Sequence, residues 1–116
     1  MINILVTGAN RGIGLELCRQ LQARGERVIA VCRNSSAELD ALGLRVIEGV
    51  DVAADQSVAR LAEQLAGVRL DWLINNAGIL SNQSLDKLDF AAMEKQYVIN
   101  ALGPLRVTAA LRANLG

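Results

Sequence analysis

The chain contains no histidine and only two cysteines, Cys18 and Cys32, which form no C-x-x-C pair. A zinc site would have no ligand set to draw on, so no metal is expected. The two thiols read as small buried apolar groups in a reducing compartment. Aromatic residues are scarce at 3%, which leaves no stacking platform for single-stranded nucleic acid. Neither charge is in excess: twelve basic residues balance twelve acidic ones. Nothing therefore draws the chain to nucleic acid or to an anionic membrane. No apolar run approaches the roughly 20 residues of a membrane-spanning helix. The N-terminus lacks a basic start, and Asn10 and Arg11 interrupt its apolar run early, so no export signal is read. The expectation is a cytoplasmic protein with neither a nucleic-acid nor a membrane partner.

What is present is ordinary globular material. Hydrophobic residues make up 52% of 116 and charged residues 21%. That suits one domain with one core, residues 1–116. Short aliphatic runs alternate with longer amphipathic ones. The runs 2–7, 27–32, 44–50 and 70–75 read as strands, and 2–7 has the near-continuous apolar character of a strand buried on both faces. Between them the period turns helical. Gly14, Leu17, Cys18 and Leu21 share one face of 12–24, and Val58, Leu61, Ala62 and Leu65 one face of 55–66. Ser35 or Ser36 caps a short helix over 36–42, and Gly25, Gly43 and Gly67 close the three helices. Residues 79–87 are polar and irregular, and 82–88 are placed at a cleft edge. Asp89 caps a long helix running to about residue 114. The single proline, Pro104, should bend it near Leu102 and Gly103.

Successive βα units imply a parallel sheet with right-handed crossovers and helices on both faces. The fold class expected is α/β, a Rossmann-type doubly wound sheet of order 3-2-1-4. Its ligand crevice should lie between strands 1 and 4, at the switch point.

The loop after strand 1 reads Thr7-Gly8-Ala9-Asn10-Arg11-Gly12-Ile13-Gly14. A phosphate at a helix N-terminus needs free N–H groups and close backbone approach, which a Cβ would obstruct. Strand, glycines and helix stand here in the order that a dinucleotide pyrophosphate requires.

The spacing T-G-x-x-x-G-x-G resembles that of the short-chain dehydrogenases/reductases. Three further motifs carry the resemblance: Asn75-Asn76-Ala77-Gly78 after strand 4, Asp51-Val52 closing strand 3, and Asn100 in the long helix. The resemblance covers the whole chain and implies roles. Gly8, Asn10, Gly12, Ile13 and Gly14 would line the pyrophosphate. Asp51 would bond the adenine amino group, with Val52 offering backbone. Asn76, Ala77 and Gly78 would pass beside the adenosine ribose, and Asn75 would tie strand 4 to its neighbours. Asn100 would hold a water in a proton relay, the one catalytic role the resemblance assigns to this chain.

Charge sets the expected cofactor preference. An NAD site places Asp or Glu about 20 residues past the glycines. Here strand 2 ends in Arg33-Asn34. A guanidinium there suits a 2′-phosphate, and Arg11 could flank it. NADP(H) is expected over NAD(H).

The family's Ser and Tyr-x-x-x-Lys are missing. The sole tyrosine, Tyr97, has Ala101 four residues on and reads as a packing residue with a wet hydroxyl. The chain resembles the cofactor-binding half of an oxidoreductase for carbonyls or alcohols, ending before strand 5 and inactive alone. Alternatives are a non-catalytic NADP(H)-binding or oligomerisation module and an inert fragment. Leu70, Trp72, Leu73 and Ile74 would stand on an open edge, so a homo-oligomer is expected.

Overall fold

Alternation of aliphatic residues builds the central sheet of the computed structural model, which describes residues 1–79 and 84–116. Its strands are β1 (Asn3–Thr7), β2 (Arg27–Val31), β3 (Arg45–Ile47) and β4 (Trp72–Ile74). All three pairings are parallel, and the order is β3-β2-β1-β4, as the sequence indicates. The strands are shorter than the apolar runs: β3 stops at Ile47, and the chain then turns through Gly49 at φ +73°.

Period-two geometry sends alternate side chains to opposite faces. Ile4, Val6, Val28 and Ala30 pack with Cys18, Leu21 and Leu39. These last three come from α1 (Gly12–Ala23) and α2 (Ala37–Asp40). On the other face Leu5, Ile29, Val31 and Ile47 meet Val58 and Leu61 of α3 (Asp55–Gln64). They also meet Val107 of α5 (Gly103–Ala110). Ser36 is the residue that caps α2, accepting the Leu39 N–H at 3.1 Å.

The long helix is not continuous. It comprises α4 (Phe90–Tyr97), a π-helical turn (Val98–Leu102) and α5. Pro104 has no N–H to give the carbonyl four residues back, and the Gly103 N–H reaches the Val98 carbonyl, five back. The distortion thus lies at and just before the expected bend. Tyr97 corrects the sequence reading: its side chain is 62% exposed, so it does not pack. Leu70 is a second correction. It is buried, and it pairs in parallel with Leu115, its N–H donating to the Asn114 carbonyl at 2.8 Å. The rest of β4 lies at the edge of the sheet, with Trp72 half-exposed. Of the segment 79–87 and the supposed cleft edge 82–88, residues 80–83 lie outside the described residues. Among the described residues, no helix is long and apolar enough to cross a membrane.

Candidate functional site

The loops after β1 and β4 meet beside one buried hydroxyl. Thr7 Oγ1 accepts the N–H groups of Asn76 and Ala77, both at 3.0 Å. Asn76 Nδ2 returns a bond to the Gly8 carbonyl at 3.2 Å. Two glycines make this closeness possible. Gly8 adopts φ +63°, and a Cβ on it would stand 2.8 Å from Ala77 Cα. A Cβ on Gly14 would stand 2.1 Å from the Gly8 carbonyl oxygen and 2.5 Å from Asn76 Nδ2. Gly12 differs: at φ +56° a Cβ on it would face open space.

That space belongs to a cleft of about 650 Å³ at the carboxyl ends of the strands, within the usual range of ligand pockets. Gly8, Asn10, Arg11, Gly12 and Ile13 line it from the first loop. Arg33 and Asn34 line it after β2, Asp51 and Val52 after β3, and Asn76, Ala77 and Gly78 after β4. Gly14 is buried and does not line it; it packs α1 against the loops instead. No side chain caps the N-terminus of α1, where first-turn N–H groups lack intrahelical acceptors. A cradle of this shape, with an open glycine and uncapped N–H groups, fits a pyrophosphate.

The wall after β3 is braced from below. The Asp51 N–H donates to Ser57 Oγ at 2.8 Å, and Ser57 Oγ donates to the Gly49 carbonyl at 3.1 Å. Asp51 Oδ1 accepts the Ala53 N–H at 2.9 Å, a local turn contact. The Val52 carbonyl is taken by Arg106 Nη1 at 2.7 Å, while Arg106 Nε pairs with Asp55 at 2.6 Å. Gly103 lets α5 sit against Val52, since a Cβ there would be 2.9 Å from Val52 Cγ2.

Asn100 does not line the cleft. It sits in the π-helical turn and holds the backbone of Ile79 at both ends: Oδ1 accepts the Ile79 N–H at 2.8 Å, and Nδ2 donates to its carbonyl at 2.6 Å. Its visible task is to position the segment after Gly78. Asn75 Nδ2 reaches Thr108 Oγ1 at 3.2 Å, tying β4 to α5.

Sequence reasoning passed over the apolar walls of the cleft, Val50, Ile79 and Ile99. Ile99 stands next to Asn100, and that adjacency was the available signal. Cys32 also lines the cleft. Burial pushes its thiol above the ordinary range, helped by the Glu48 and Asp40 carboxylates. Burial, with a smaller contribution from Cys32, raises Cys18 to about 11. Both thiols stay protonated near neutral pH and supply no nucleophile. Among the described residues, no group of three or more acidic, cysteine or histidine residues is placed to hold a metal.

An open parallel sheet with a glycine-lined cleft at its switch point defines a Rossmann-type nucleotide-binding architecture. The short chain dehydrogenase profile matches residues 3–115, and the chain belongs to that family of oxidoreductases. It is 43% identical over 114 residues to a 1-hydroxy-2-glutathionyl-2-methyl-3-butene dehydrogenase of Rhodococcus sp. (strain AD45). That match covers 97% of this chain and 50% of the relative. Among solved structures it resembles a carbonyl reductase from Pseudomonas aeruginosa PAO1, with TM-score 0.88 and 34% identity, covering 100% of this chain and 57% of the other. It also resembles an NADPH-bound carbonyl reductase from chicken fatty liver, with TM-score 0.84 and 31% identity, covering 97% and 48%. The chain spans about half the length of the curated relatives it matches.

Proposed function

We propose that residues 1–116 form one domain, the cofactor-binding half of a short-chain dehydrogenase/reductase acting on carbonyls or alcohols, and that it prefers NADP(H) to NAD(H). The observation that carries this reading is the cleft itself, with Gly12 open to it and two guanidiniums on its rim. Arg11 and Arg33 are exposed, and among the described residues neither guanidinium has a hydrogen-bond or ion-pair partner. Unpaired cations beside a phosphate cradle are available to a 2′-phosphate; a carboxylate there would repel it.

When bound, the dinucleotide would give a hydride to a carbonyl or take one from an alcohol. The chain's own residues hold and orient it. Gly12, Ile13 and the N-terminus of α1 take the pyrophosphate, with Gly8, Asn10 and the packed Gly14 shaping the loop. Asp51 would accept the adenine amino group on its remaining oxygen, with Val52 offering backbone beside it. Asn76, Ala77 and Gly78 flank the ribose, and Asn34 lies beside Arg33. Asn100 fixes Ile79 next to Gly78 and would hold a water in a proton relay.

No Ser and Tyr-x-x-x-Lys set stands in this sequence, so a poised proton donor is missing. The 116-residue chain alone is therefore expected to bind cofactor without turnover. The outer edge of β4 is proposed to pair with a second copy.

Calorimetric titration with NADPH and NADH tests the reading. NADPH should bind at least about tenfold tighter, from charge-assisted bonds of roughly 1.5–3 kcal/mol each. Arg33→Ala should abolish most of that difference while leaving NADH affinity alone. An unchanged ratio in Arg33→Ala would overturn the assignment of the 2′-phosphate site.

A further inference from the structure

Arg11 and Arg33 belong to different loops, and nothing links the two side chains directly. Two contacts link their backbones: the Ala9 N–H donates to the Val31 carbonyl at 3.2 Å, and a side-chain hydroxyl makes the second, nearer to the two arginines. Ser36 Oγ donates to the Asn10 carbonyl at 2.6 Å, across 26 residues of sequence. The same oxygen accepts the Leu39 N–H at 3.1 Å. Its one proton and one of its lone pairs are thus both used, and the two bonds fix its direction. Leu39 is fully buried in the core beneath α2, so the hydroxyl is held from below. The neighbouring backbone is tied as well. The Arg33 carbonyl accepts the Gly49 N–H at 2.9 Å, and the Ser35 N–H donates to Glu48 at 2.9 Å.

Ser36 itself does not line the cleft, whereas Asn10, Arg11, Arg33 and Asn34 do. It therefore acts through them. We propose that Ser36 is a positioning residue for cofactor specificity: its hydroxyl bridges the glycine loop to the segment after β2, so that both guanidiniums face one anion. This rests on the reading of Arg11 and Arg33 as a 2′-phosphate site. Without the bridge, the Ala9–Val31 backbone bond still joins the glycine loop to β2, but the contact beyond β2 that sets Asn10 and Arg11 against the segment carrying Arg33 is lost. A ligand lacking the 2′-phosphate does not need that register.

The test compares NADPH and NADH affinities for the wild-type chain, Ser36→Ala and Ser36→Thr. Ser36→Gly serves as a second variant, because glycine caps a helix nearly as well as serine yet has no hydroxyl. The loss of one hydrogen bond should weaken NADPH binding about 3- to 10-fold in Ser36→Ala and Ser36→Gly. NADH affinity should stay within about twofold, and Ser36→Thr should restore the wild-type ratio. In an Arg11→Ala, Arg33→Ala background, adding Ser36→Gly should change nothing further. A wild-type preference for NADPH that survives both Ser36→Ala and Ser36→Gly overturns the bridge alone. An effect of Ser36→Gly that persists without the two arginines also overturns it, since the hydroxyl would then act on the ligand directly. Equal wild-type affinities, or no binding of either nucleotide, overturn the 2′-phosphate reading and the bridge with it.

Discussion

Replacing Gly14 by alanine sets two effects against each other, and the structure decides the sign. Gly14 lies in the first turn of α1. In a helix interior, alanine is favoured over glycine by up to about 1 kcal/mol, so propensity alone predicts a gain. The added Cβ, however, would be 2.1 Å from the Gly8 carbonyl oxygen and 2.5 Å from Asn76 Nδ2. Ordinary contact requires about 1 Å more on both sides. Neither neighbour can yield cheaply. The Gly8 carbonyl is backbone, and Asn76 is anchored through its N–H to Thr7. Overpacking of this kind typically costs about 1–3 kcal/mol, and a backbone obstacle puts it toward the upper end. The net expectation is a loss of about 2 kcal/mol, or a fall in Tm of about 8 °C for a chain of this size.

Gly12→Ala is the control, because a Cβ there meets nothing within 4 Å. Its cost is only that of a left-handed conformation, about 1–2 kcal/mol. Gly12 lines the cleft, so the substitution should impair nucleotide binding out of proportion to stability. Urea denaturation followed by circular dichroism gives the stabilities, and titration with NADPH gives the affinities. If Gly14→Ala proved as stable as the wild type, the close packing of the two loops would not exist as described.

Two further outcomes follow from the same coordinates. Cys18 is fully buried and its thiol is raised to about 11, against about 8.5 in an unfolded chain. The folded state thus keeps a proton that the unfolded state gives up. The stabilisation is complete below about pH 8.5 and is lost as pH rises toward 11, by roughly 3 kcal/mol. Denaturation midpoints of wild type and Cys18→Ala should converge over that range, and parallel curves would refute the assignment. At the sheet edge, light scattering should find the 116-residue chain as a dimer or larger at moderate concentration. A monomer there would overturn pairing through β4.

Much of this fold was legible because its determinants are local. The aliphatic runs of β1 and β2, the glycines that stop the helices and the Ser36 cap each depend on a few adjacent residues. Three of the four motifs contribute residues to the cleft lining, whereas Asn100 and Gly14 stand outside it. What escaped depends on distant partners. Nothing in Val98–Leu102 announces a π-helical turn; it arises where Pro104 withholds a hydrogen bond while α5 is held by Gly103 against Val52. The helical position of Tyr97 suggests packing, yet α4 buries no residue. The runs read as β3 and β4 exceeded the strands because apolar residues also fill the loops beneath the cleft. Val50 and Val52, for example, are buried without being in a strand.

The same contrast separates the floor of the cleft from its rim. The floor is made of backbone joined across long sequence distances by a few buried or part-buried side chains. Thr7 reaches 69 and 70 residues ahead to Asn76 and Ala77, and Arg106 reaches 54 back to Val52. Removing one such group leaves part-buried partners without their bond, at up to about 1–3 kcal/mol each. Changes there should unfold the site before they retune it. Arg11, Ile13, Arg33 and Asn34 are exposed instead, and surface substitutions usually shift stability by no more than about 0.5 kcal/mol. The proposed discrimination between dinucleotides would thus fall where residues can change without endangering the fold. Ser36 is the point at which the two layers meet, anchored in the core by Leu39 and joined to the rim through Asn10.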